Sequence, residues 1–442
     1  MFDNGSEWRG LDIHLHTVKD KEFIYSGKEN QFINNYIECL SNANIGVGVI
    51  TNHNKFDRGE FIALKKKAKK NNIILFPGVE LSVKEGGNGI HILIVFDYNQ
   101  WIENKNKDSI NTFLDSVFKS ISNRENANTR CNKDLFGVIE ELNSYKKDYF
   151  ICLAHVDQKS GLFKECDNGM IQTLWGNSEV KDKVLGFQKS HNRDNICNFE
   201  RITNCRIACV EGSDCKNLDE VGKCDKTYVK IGDDSFQSFV MAFKDFDNRI
   251  KKEFTKKPIT YIKSIKFEGG AFNGNKIKCS KELNTLIGIR GSGKSALLEC
   301  VRYALNLDVS KNDKEYKEEL VEYIMGSGGK IILEANDSRN NEYIISRIYG
   351  EEPHVFKNGE SVNITSLHVL KNPLYFGQKD LSNTEKGYEL LLLNKILGRN
   401  NNDDELNDIN ASIEKFFIEL SRIENNIKKR GEIEKNLTAV KL

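Results

Sequence analysis

The chain has 442 residues, of which 39% are hydrophobic and 29% are charged, a composition typical of a globular protein with several domains. Its 65 Lys and Arg residues are balanced by 64 Asp and Glu residues, and the net charge of +1 excludes strong attraction of the whole chain to nucleic acid. No apolar run approaches the ~20 residues of a membrane span. Eleven cysteines without a Cys-x-x-Cys pair favour a reduced, cytoplasmic protein with no membrane partner.

Short apolar segments alternate with polar helical stretches in the first half of the chain, and polar residues gather at the ends of these segments. Residues 10–16 include His14 and His16, which share one face of a strand because they are two positions apart. The other predicted strands cover residues 45–51, 73–76, 90–96, 149–154 and 206–210, and they begin with or lead into His53, Glu80, His91, His155 and Asp214. The pattern predicts a barrel-like α/β fold whose mouth holds Zn, Mn or Fe, since these metals bind imidazole and carboxylate.

These segments resemble the successive motifs of the PHP (polymerase and histidinol phosphatase) family of metal-dependent phosphoesterases. The matching elements are His14-x-His16, Thr51-Asn52-His53, Pro77-Gly-Val-Glu80, His91, Ala154-His155 and Gly212-Ser-Asp214, within about residues 8–225. The resemblance implies a distorted seven-stranded (β/α) barrel that binds up to three divalent metal ions, two of which have a full set of ligands in this sequence. By resemblance, one ion is held by His14, His16, Glu80 and Asp214, and the second shares Glu80 with His91 and His155. Two such ions polarise a phosphate and generate a hydroxide nucleophile near neutral pH.

Two positions depart from the family pattern. The family has Asp before the histidine of the second motif and ends its last motif in Asp-x-His, whereas this chain has Asn52 and Lys216. Only His53 clearly remains for a third ion, with Asp20 as a weak further candidate. We therefore expect the third ion to be absent and the Lys216 ammonium to take its place, which makes His53, Lys216 and Asp214 the expected catalytic residues. A decayed pocket that serves as a scaffold is the alternative.

The region around these strands is polar and basic. Residues 100–148 and 158–200 are expected to form helices outside the barrel or loops around its mouth, and the basic run at residues 65–70 is expected on a helix. We assign residues 1–245 to the metallohydrolase domain and the Lys- and Arg-rich residues 246–258 to a linker.

A phosphate-binding motif opens the main feature of the second half. Residues 286–295 match G-x-x-x-x-G-K-[ST], with a strand expected over residues 285–287 and a helix over residues 296–303. The backbone N–H groups would cradle the phosphates of ATP, Lys294 would reach the outer phosphates, and Ser295 would hold Mg. The predicted nucleotide-binding residues here are Gly288, Arg290, Gly291, Ser292, Gly293, Lys294 and Ser295. A glycine-rich turn that carries a lysine by chance is the alternative.

The segments around this motif predict an ATPase lobe over residues 259–400 and the start of a coiled coil over residues 401–442. Strands are expected at residues 259–267, 330–334 and 342–349. Residues 374–382 resemble the Q-loop of SMC-, RecN- and RecF-type ABC ATPases, which implies that Gln378 reaches the magnesium of the nucleotide. A heptad seam is formed by Leu406, Ile409, Ile413, Phe416, Leu420, Ile423 and Ile427. A single amphipathic helix docked on the domain is the alternative.

The pairing of a PHP domain with an SMC-like lobe resembles the TrlF-like group of ATPases. In SMC-like ATPases a second lobe supplies the signature motif and the acidic strand, and neither is visible in this sequence. We therefore expect either that the sequence is a fragment of a longer protein or that a second chain supplies this lobe, and we expect a homo-oligomer through the ATPase heads. The predicted function is a metal-dependent phosphodiesterase, a nuclease acting on DNA or RNA, coupled to the ATPase in DNA repair or antiviral defence. The alternatives are a phosphomonoesterase acting on a small phosphorylated metabolite and a degenerate scaffold on an ATP-driven clamp.

Overall fold

The structure is a computed structural model that divides into two units, residues 1–257 and residues 258–442. It describes residues 5–102, 108–126, 129–253, 259–307, 314–371 and 373–376, together with Glu419, Leu420, Ile423, Ile427, Lys429 and Arg430. Separate apolar clusters form the cores of the two units.

The described strands of the first unit form one nine-stranded mixed sheet. They are β1 (Glu7–Leu15), β2 (Ile45–Ile50), β3 (Ile74–Val83), β4 (Ile90–Phe96), β5 (Tyr149–Leu153), β6 (Val184–Gln188), β7 (Ala208–Val210), β8 (Thr227–Ile231) and β9 (Ile250–Lys251). Their order is β7-β6-β5-β4-β3-β2-β1-β8-β9. The pairs β1–β2, β2–β3, β5–β6 and β6–β7 are parallel, and the other neighbours are antiparallel.

The helices of the first unit surround this sheet. They are α1 (Phe32–Asn42), α2 (Arg58–Lys70), α3 (Tyr98–Trp101), α4 (Ser109–Val117), α5 (Leu135–Ser144), α6 (Leu162–Glu165), α7 (Asn168–Gly176), α8 (Ser178–Lys183), α9 (Arg193–Thr203), α10 (Phe236–Lys244) and α11 (Phe246–Arg249). Aspartate caps fix several of their starts, because an Asp carboxylate accepts a backbone N–H of the first turn at Asp57, Asp108, Asp134 and Asp167.

Alternating side chains of the strands reach two apolar clusters. On β5, Ile151 and Leu153 join the larger cluster with the surrounding helices, whereas Phe150 and Cys152 join the smaller one. The smaller cluster collects buried side chains from every strand from β1 to β8 together with α10. Side chains from eight neighbouring strands meet in one cluster only if the sheet curls strongly, so the sheet is barrel-like and nearly closed.

The prediction of a mixed α/β barrel-like fold is confirmed, while the seven-stranded (β/α) barrel differs from the nine-stranded, partly antiparallel sheet of the structure. All six predicted strands are present, and β3 runs on to Val83, which places Glu80 inside a strand rather than after one. Strands β6, β8 and β9 were not predicted from the sequence. Strand β6 has five consecutive buried residues, but it lies in a stretch that is otherwise rich in polar residues. This surrounding polarity led to the prediction of a helical region there.

The second unit has a six-stranded antiparallel sheet and helices in its described part. Its strands are β10 (Tyr261–Glu268), β11 (Lys276–Lys278), β12 (Lys330–Asn336), β13 (Glu342–Ile348), β14 (His354–Lys357) and β15 (Glu360–Val362), in the order β11-β10-β12-β13-β14-β15. Its helices are α12 (Lys294–Ala304), α13 (Lys314–Met325) and α14 (Ser366–Leu370). The three strands predicted outside the phosphate loop and the helix that follows the loop are therefore confirmed.

The prediction of a strand at residues 285–287 is wrong. Residues 283–289 have no regular secondary structure, and the side chains of Leu283, Ile287 and Ile289 are 90%, 93% and 82% exposed. An apolar strand is stable when neighbouring strands pair with it and cover it, and no described strand pairs with this segment.

Two further predictions concern residues that lie mostly outside the described part of the structure. Gln378 and the first four heptad positions, residues 406, 409, 413 and 416, lie outside the described residues. Leu420, Ile423 and Ile427 are helical and exposed, and the coiled coil stays a prediction. Among the described helices, none combines the length and the apolar character that a membrane span requires.

Candidate metal centre

The carboxylate of Glu80 lies at the middle of a cluster of imidazoles. Its Oε2 atom is 3.2 Å from His14 Nε2 and 3.5 Å from His16 Nε2. Its Oε1 atom is 2.8 Å from His91 Nδ1 and 3.6 Å from His155 Nε2. The carboxylate thus presents one oxygen to each of two histidine pairs.

Asp214 completes the side of the cluster that contains His14 and His16. Its Oδ1 atom is 3.1 Å from His16 Nε2 and 3.8 Å from His14 Nε2. The resulting groups are His14, His16 and Asp214 on one side and Glu80, His91 and His155 on the other, and either can hold a metal ion. The structure therefore brings together all six residues that the sequence predicts as metal ligands.

Strands from across the sheet deliver these residues to one place. His14 lies on β1 and His16 just after it, Glu80 on β3 and His91 on β4, while His155 and Asp214 follow β5 and β7. His155, Lys189 and Asp214 have positive φ values of 27°, 53° and 55°. Non-glycine residues adopt this left-handed conformation at a cost, and such strain is concentrated at functional sites.

Side chains behind the cluster orient the histidines. Asp20 Oδ2 lies 2.8 Å from His16 Nδ1 and accepts the backbone N–H of His53 at 2.6 Å. Gln188 Oε1 accepts the backbone N–H of His155 at 2.7 Å and lies 3.5 Å from His14 Nδ1. Asp20 was a weak candidate for a third ion, but its position makes it an orienting residue for His16 and His53.

The electrostatics of the cluster keep its carboxylates ionised. Burial raises the pKa of the Glu80 carboxyl, but the imidazoles of His14, His155 and His91 outweigh burial and hold this pKa well below its usual value. The pKa of Asp214 is also lowered, because His14 and His16 outweigh its burial. Burial lowers the pKa of His16, whereas its bonds to Asp20 and Asp214 raise it to about 9.

Lys216 lies inside the cluster rather than beside it. Its Nζ atom is 3.1 Å from Asp214 Oδ1, 3.3 Å from His16 Nε2 and 3.0 Å from Glu22 Oε2. Burial lowers the pKa of this ammonium, but Asp214 and Glu80 raise it above its usual value. The positively charged ammonium of Lys216 therefore contacts both Asp214 and His16.

Asn52 and His53 have different positions in the site. The Asn52 side chain accepts the backbone N–H of Thr17 at 2.8 Å and donates to Thr17 Oγ1 at 2.9 Å, so the amide joins the ends of β1 and β2. An aspartate in this place could not donate the second bond. His53 is buried against His91, with ring centroids 5.3 Å apart, and both of its ring nitrogens lack a hydrogen-bond partner among the described residues.

Sequence reasoning missed Lys189 and Gln188. Lys189 Nζ is 3.6 Å from Asp214 Oδ2, so a second ammonium lies beside the cluster. Both residues lie at the carboxyl end of β6, and the strand itself went unrecognised. The short apolar run at residues 184–187 was the signal that could have located them.

A separate group of His191, Glu211 and Asp225 also places three ligand atoms near one another. Glu211 is buried, and its Oε1 atom is 3.4 Å from Lys252 Nζ. An ammonium already neutralises this carboxylate, and His191 and Asp225 are exposed. This group is a weaker candidate for a metal site than the Glu80 cluster.

The phosphate-loop lysine of the second unit contacts its own loop. Lys294 Nζ donates to the carbonyl oxygens of Gly288 and Ile289 at 2.7 and 2.8 Å, and it lies 3.3 Å from Ser292 Oγ. Gly291 and Gly293 have φ values of 82° and 86°, the left-handed conformation that glycine adopts without strain. The loop is therefore positioned before α12 as the motif requires, while ATP binding stays a prediction.

The Glu80 cluster suits divalent metal ions by two criteria. Its donors are imidazole nitrogens and carboxylate oxygens, the ligands of Zn, Mn and Fe. His14 Nε2 lies 3.2 Å from Glu80 Oε2 but makes no hydrogen bond of good geometry among the described residues, and buried His155 Nδ1 has no partner there, which is costly unless another group binds them. The first unit is thus a mixed α/β domain with a candidate two-ion centre.

Comparisons with known proteins add little to this geometry. No family model matches the chain, and no curated protein matches it. A two-domain protein from Bacteroides vulgatus containing a predicted PHP-like metal-dependent phosphoesterase aligns with 12% identity over 66% of this chain and 90% of that chain, with a TM-score of 0.37. PsfC from Pseudomonas syringae aligns with 12% identity over 57% of this chain and 93% of that chain, with a TM-score of 0.35. At such low identities and TM-scores, these likenesses carry no argument about the activity of this chain.

Proposed function

We propose that the first unit is a two-metal phosphodiesterase of the PHP type that cleaves DNA or RNA, and that the second unit is an SMC-like lobe that binds ATP and controls cleavage. The observation that carries the proposal is the Glu80 carboxylate, which has one oxygen beside His14 and His16 and the other beside His91 and His155. The order of the sequence motifs supports it. A nuclease joined to an ATPase suits DNA repair or antiviral defence inside the cytoplasm.

The chain's own residues divide the work at the centre. His14, His16, Glu80 and Asp214 would hold one ion, and Glu80, His91 and His155 would hold the other. When bound, two divalent ions supply Lewis-acid polarisation of a phosphate ester and lower the pKa of water towards neutrality. The ammonium groups of Lys216 and Lys189, on either side of Asp214, would bind phosphate oxygens. His53, whose two ring nitrogens have no hydrogen-bond partner within the described part of the chain, would accept and return a proton.

The second unit would bind ATP through its phosphate loop. Lys294 would exchange the carbonyl oxygens of Gly288 and Ile289 for phosphate oxygens, and Ser295 and Gln378 would bind the magnesium ion. The exposed segment at residues 283–289 and the expected coiled coil fit an ATPase that needs a further lobe and associates through its heads.

The test is incubation of the purified protein and Mn²⁺ with labelled single- and double-stranded DNA and RNA, with and without ATP. The control is the His14→Ala/Asp214→Ala double variant. Cleavage by the wild type that the variant loses is the expected result, and it also identifies the polymer. Bound metal without cleavage of any polymer would contradict the nuclease and favour a phosphomonoesterase acting on a small phosphorylated metabolite.

A catalytically inactive scaffold is the second candidate, and the position of Lys216 favours it. An ammonium 3.3 Å from His16 Nε2 and 3.1 Å from Asp214 Oδ1 competes with a metal ion for the same ligands. Elemental analysis of the full chain after loading with Mn²⁺ distinguishes the phosphodiesterase from the inactive scaffold. Two ions per chain support the phosphodiesterase, none supports the scaffold, and three would rule out Lys216 as a replacement for a third ion.

A further inference from the structure

A polar cleft of about 500 Å³ opens beside the Glu80 cluster. Its inner wall includes His91 and His155, and its outer wall includes Asn88, Arg130, Lys159 and Ser160. Every residue that lines the cleft is polar or glycine, so the cleft suits a hydrophilic ligand. The volume lies in the range of sites that hold one small ligand, about 300–1,000 Å³.

The outer wall is held in place by Glu165. Its carboxylate accepts the backbone and side-chain N–H groups of Asn88 at 2.9 and 3.0 Å and the backbone N–H of Ser160 at 3.2 Å. The Ser160 carbonyl in turn accepts the backbone N–H of His91 at 2.9 Å. The turn between β3 and β4 and the loop after β5 are therefore tied to each other and to the metal-site strand.

Arg130 has a defined position at the edge of this cleft. Its Nη1 atom donates to the Gly87 carbonyl at 3.2 Å. Its side chain lies over Gly89, where an added Cβ would come within 2.5 Å of Arg130 Cδ. The guanidinium is thus held near the cleft, and its bond to Gly87 is the one hydrogen bond that it makes to the described residues.

The charges of the lining favour an anion. The cationic side chains among the described lining residues are Arg130 and Lys159, and the acidic one is Asp214, whose carboxylate lies beside Lys189 and Lys216. Among its described residues the lining has no Phe, Tyr or Trp on which a base could stack. The cationic side chains of the lining therefore favour recognition of a phosphate.

We propose that the cleft binds the phosphate that neighbours the scissile one in a single-stranded nucleic acid, with Arg130 and Lys159 as its ligands. This assignment rests on the proposed phosphodiesterase function. A guanidinium fork matches two oxygens of a phosphate, and a lysine ammonium adds a point charge. A half-open cleft of this volume suits about one nucleotide of an unpaired strand.

Binding is tested with a short fluorescein-labelled oligothymidylate and the full chain, with all variants built on His14→Ala so that turnover does not interfere. Arg130→Gln/Lys159→Gln should weaken binding roughly a hundredfold or more, since each of the two lost bonds to a charged group is worth about tenfold or more. The slope of log affinity against log salt should also fall by about 0.7 for each lost phosphate contact. The matched control is Lys70→Gln/Lys181→Gln, which removes the same charge at exposed positions outside the cleft.

Both cleft residues are exposed, so the double variant should fold, and circular dichroism checks this. Unchanged affinity of the cleft variant, or an equal loss in the control variant, would overturn the assignment. Hydrolysis of bis(4-nitrophenyl) phosphate by Mn²⁺-loaded chains with His14 intact separates the two proposals. This diester has no neighbouring phosphate, so the cleft variant should lose much less activity on it than on the oligonucleotide, for which its KM rises. If the wild-type chain hydrolysed neither substrate, the proposed phosphodiesterase activity would be contradicted. The binding experiment would still show whether the cleft binds a phosphate of a single strand.

Discussion

At the scale of single residues, Glu80 is the group on which both sides of the candidate centre depend. Glu80→Gln leaves one oxygen and an NH₂ group that cannot bind a cation, so the side chain can no longer bridge two ions. We expect bound Mn²⁺ to fall to one ion per chain or fewer and phosphodiester hydrolysis to fall by at least about a hundredfold, since ions of this kind contribute several kcal/mol. Elemental analysis and hydrolysis of bis(4-nitrophenyl) phosphate measure both effects.

Glu85→Gln is the matched control for that variant, because Glu85 is a buried glutamate that does not face the cluster. It should keep the wild-type metal content. Equal loss of metal in the two variants would mean that the effect of Glu80→Gln comes from general damage to the fold.

Glu85 also gives a prediction about stability and pH. One of its oxygens accepts the backbone N–H of Leu135, the other has no hydrogen-bond partner among the described residues, and burial raises its pKa from 4.5 to about 7. The folded state then holds a proton that the unfolded state has lost between pH 4.5 and about 7, so its contribution to stability falls as pH rises through this window.

Glu85→Gln removes this dependence and keeps an acceptor for Leu135. Because each pKa unit is worth about 1.4 kcal/mol, the variant should be more stable than the wild type at pH 8 by up to about 3 kcal/mol. The gain should vanish below pH 4.5. Urea denaturation across this pH range measures it, and a constant difference between the two proteins would contradict the prediction.

The residue scale also shows what a sequence alone can predict about a site. Spacing was sufficient to place His14 and His16 on one face, and the order of the motifs was sufficient to group all six proposed ligands. Neither spacing nor motif order could predict the contacts of Asn52, Asp20 and Lys216. These residues contact Thr17, His53 and His16 respectively, and such contacts form only when separate strands meet.

At the scale of elements, strands were predicted correctly where apolar runs end in polar residues. They were predicted poorly where the neighbouring strands determine whether a segment forms a strand. Strand β6 is short and fully buried, so its pattern resembles a buried helical turn. Residues 285–287 fail for the opposite reason. Their apolar pattern is that of a strand, but the described chain provides no strand to pair with them.

Helix α10 gives a prediction about how the sheet is closed. Phe239 is fully buried in the smaller cluster, and its ring stacks on Phe76 with centroids 4.7 Å apart. Phe239→Ala should lower the free energy of unfolding by about 3–5 kcal/mol, because it removes a large buried side chain. Met241 lies on the same helix with 52% of its surface exposed, so Met241→Ala should cost less than about 1 kcal/mol. Similar losses in the two variants, measured by chemical denaturation, would show that α10 does not stabilise the sheet in this way.

At the scale of the whole molecule, the two units contain separate chemistries, each with residues from its own part of the chain. All six proposed metal ligands lie before residue 215, and the phosphate loop lies after residue 285. A substitution in the loop should therefore change the response to ATP without changing the metal centre. Lys294 is the suitable position, because it is the lysine of the phosphate-binding motif and its described bonds go to atoms of the loop itself.

Lys294→Ala should weaken binding of an ATP analogue at least tenfold, since a lost bond to a charged phosphate is worth about 1.5–3 kcal/mol. Nucleic acid cleavage in the absence of ATP should stay at the wild-type rate, and any change that ATP causes in the wild type should disappear. Lys314→Ala, at the exposed start of α13, is the control and should retain the ATP response. Calorimetry and gel assays of cleavage measure these quantities. If Lys294→Ala abolished cleavage without ATP as well, the two units could not be separated in this way, and if ATP changed cleavage equally in both variants, the phosphate loop would not be its site of action.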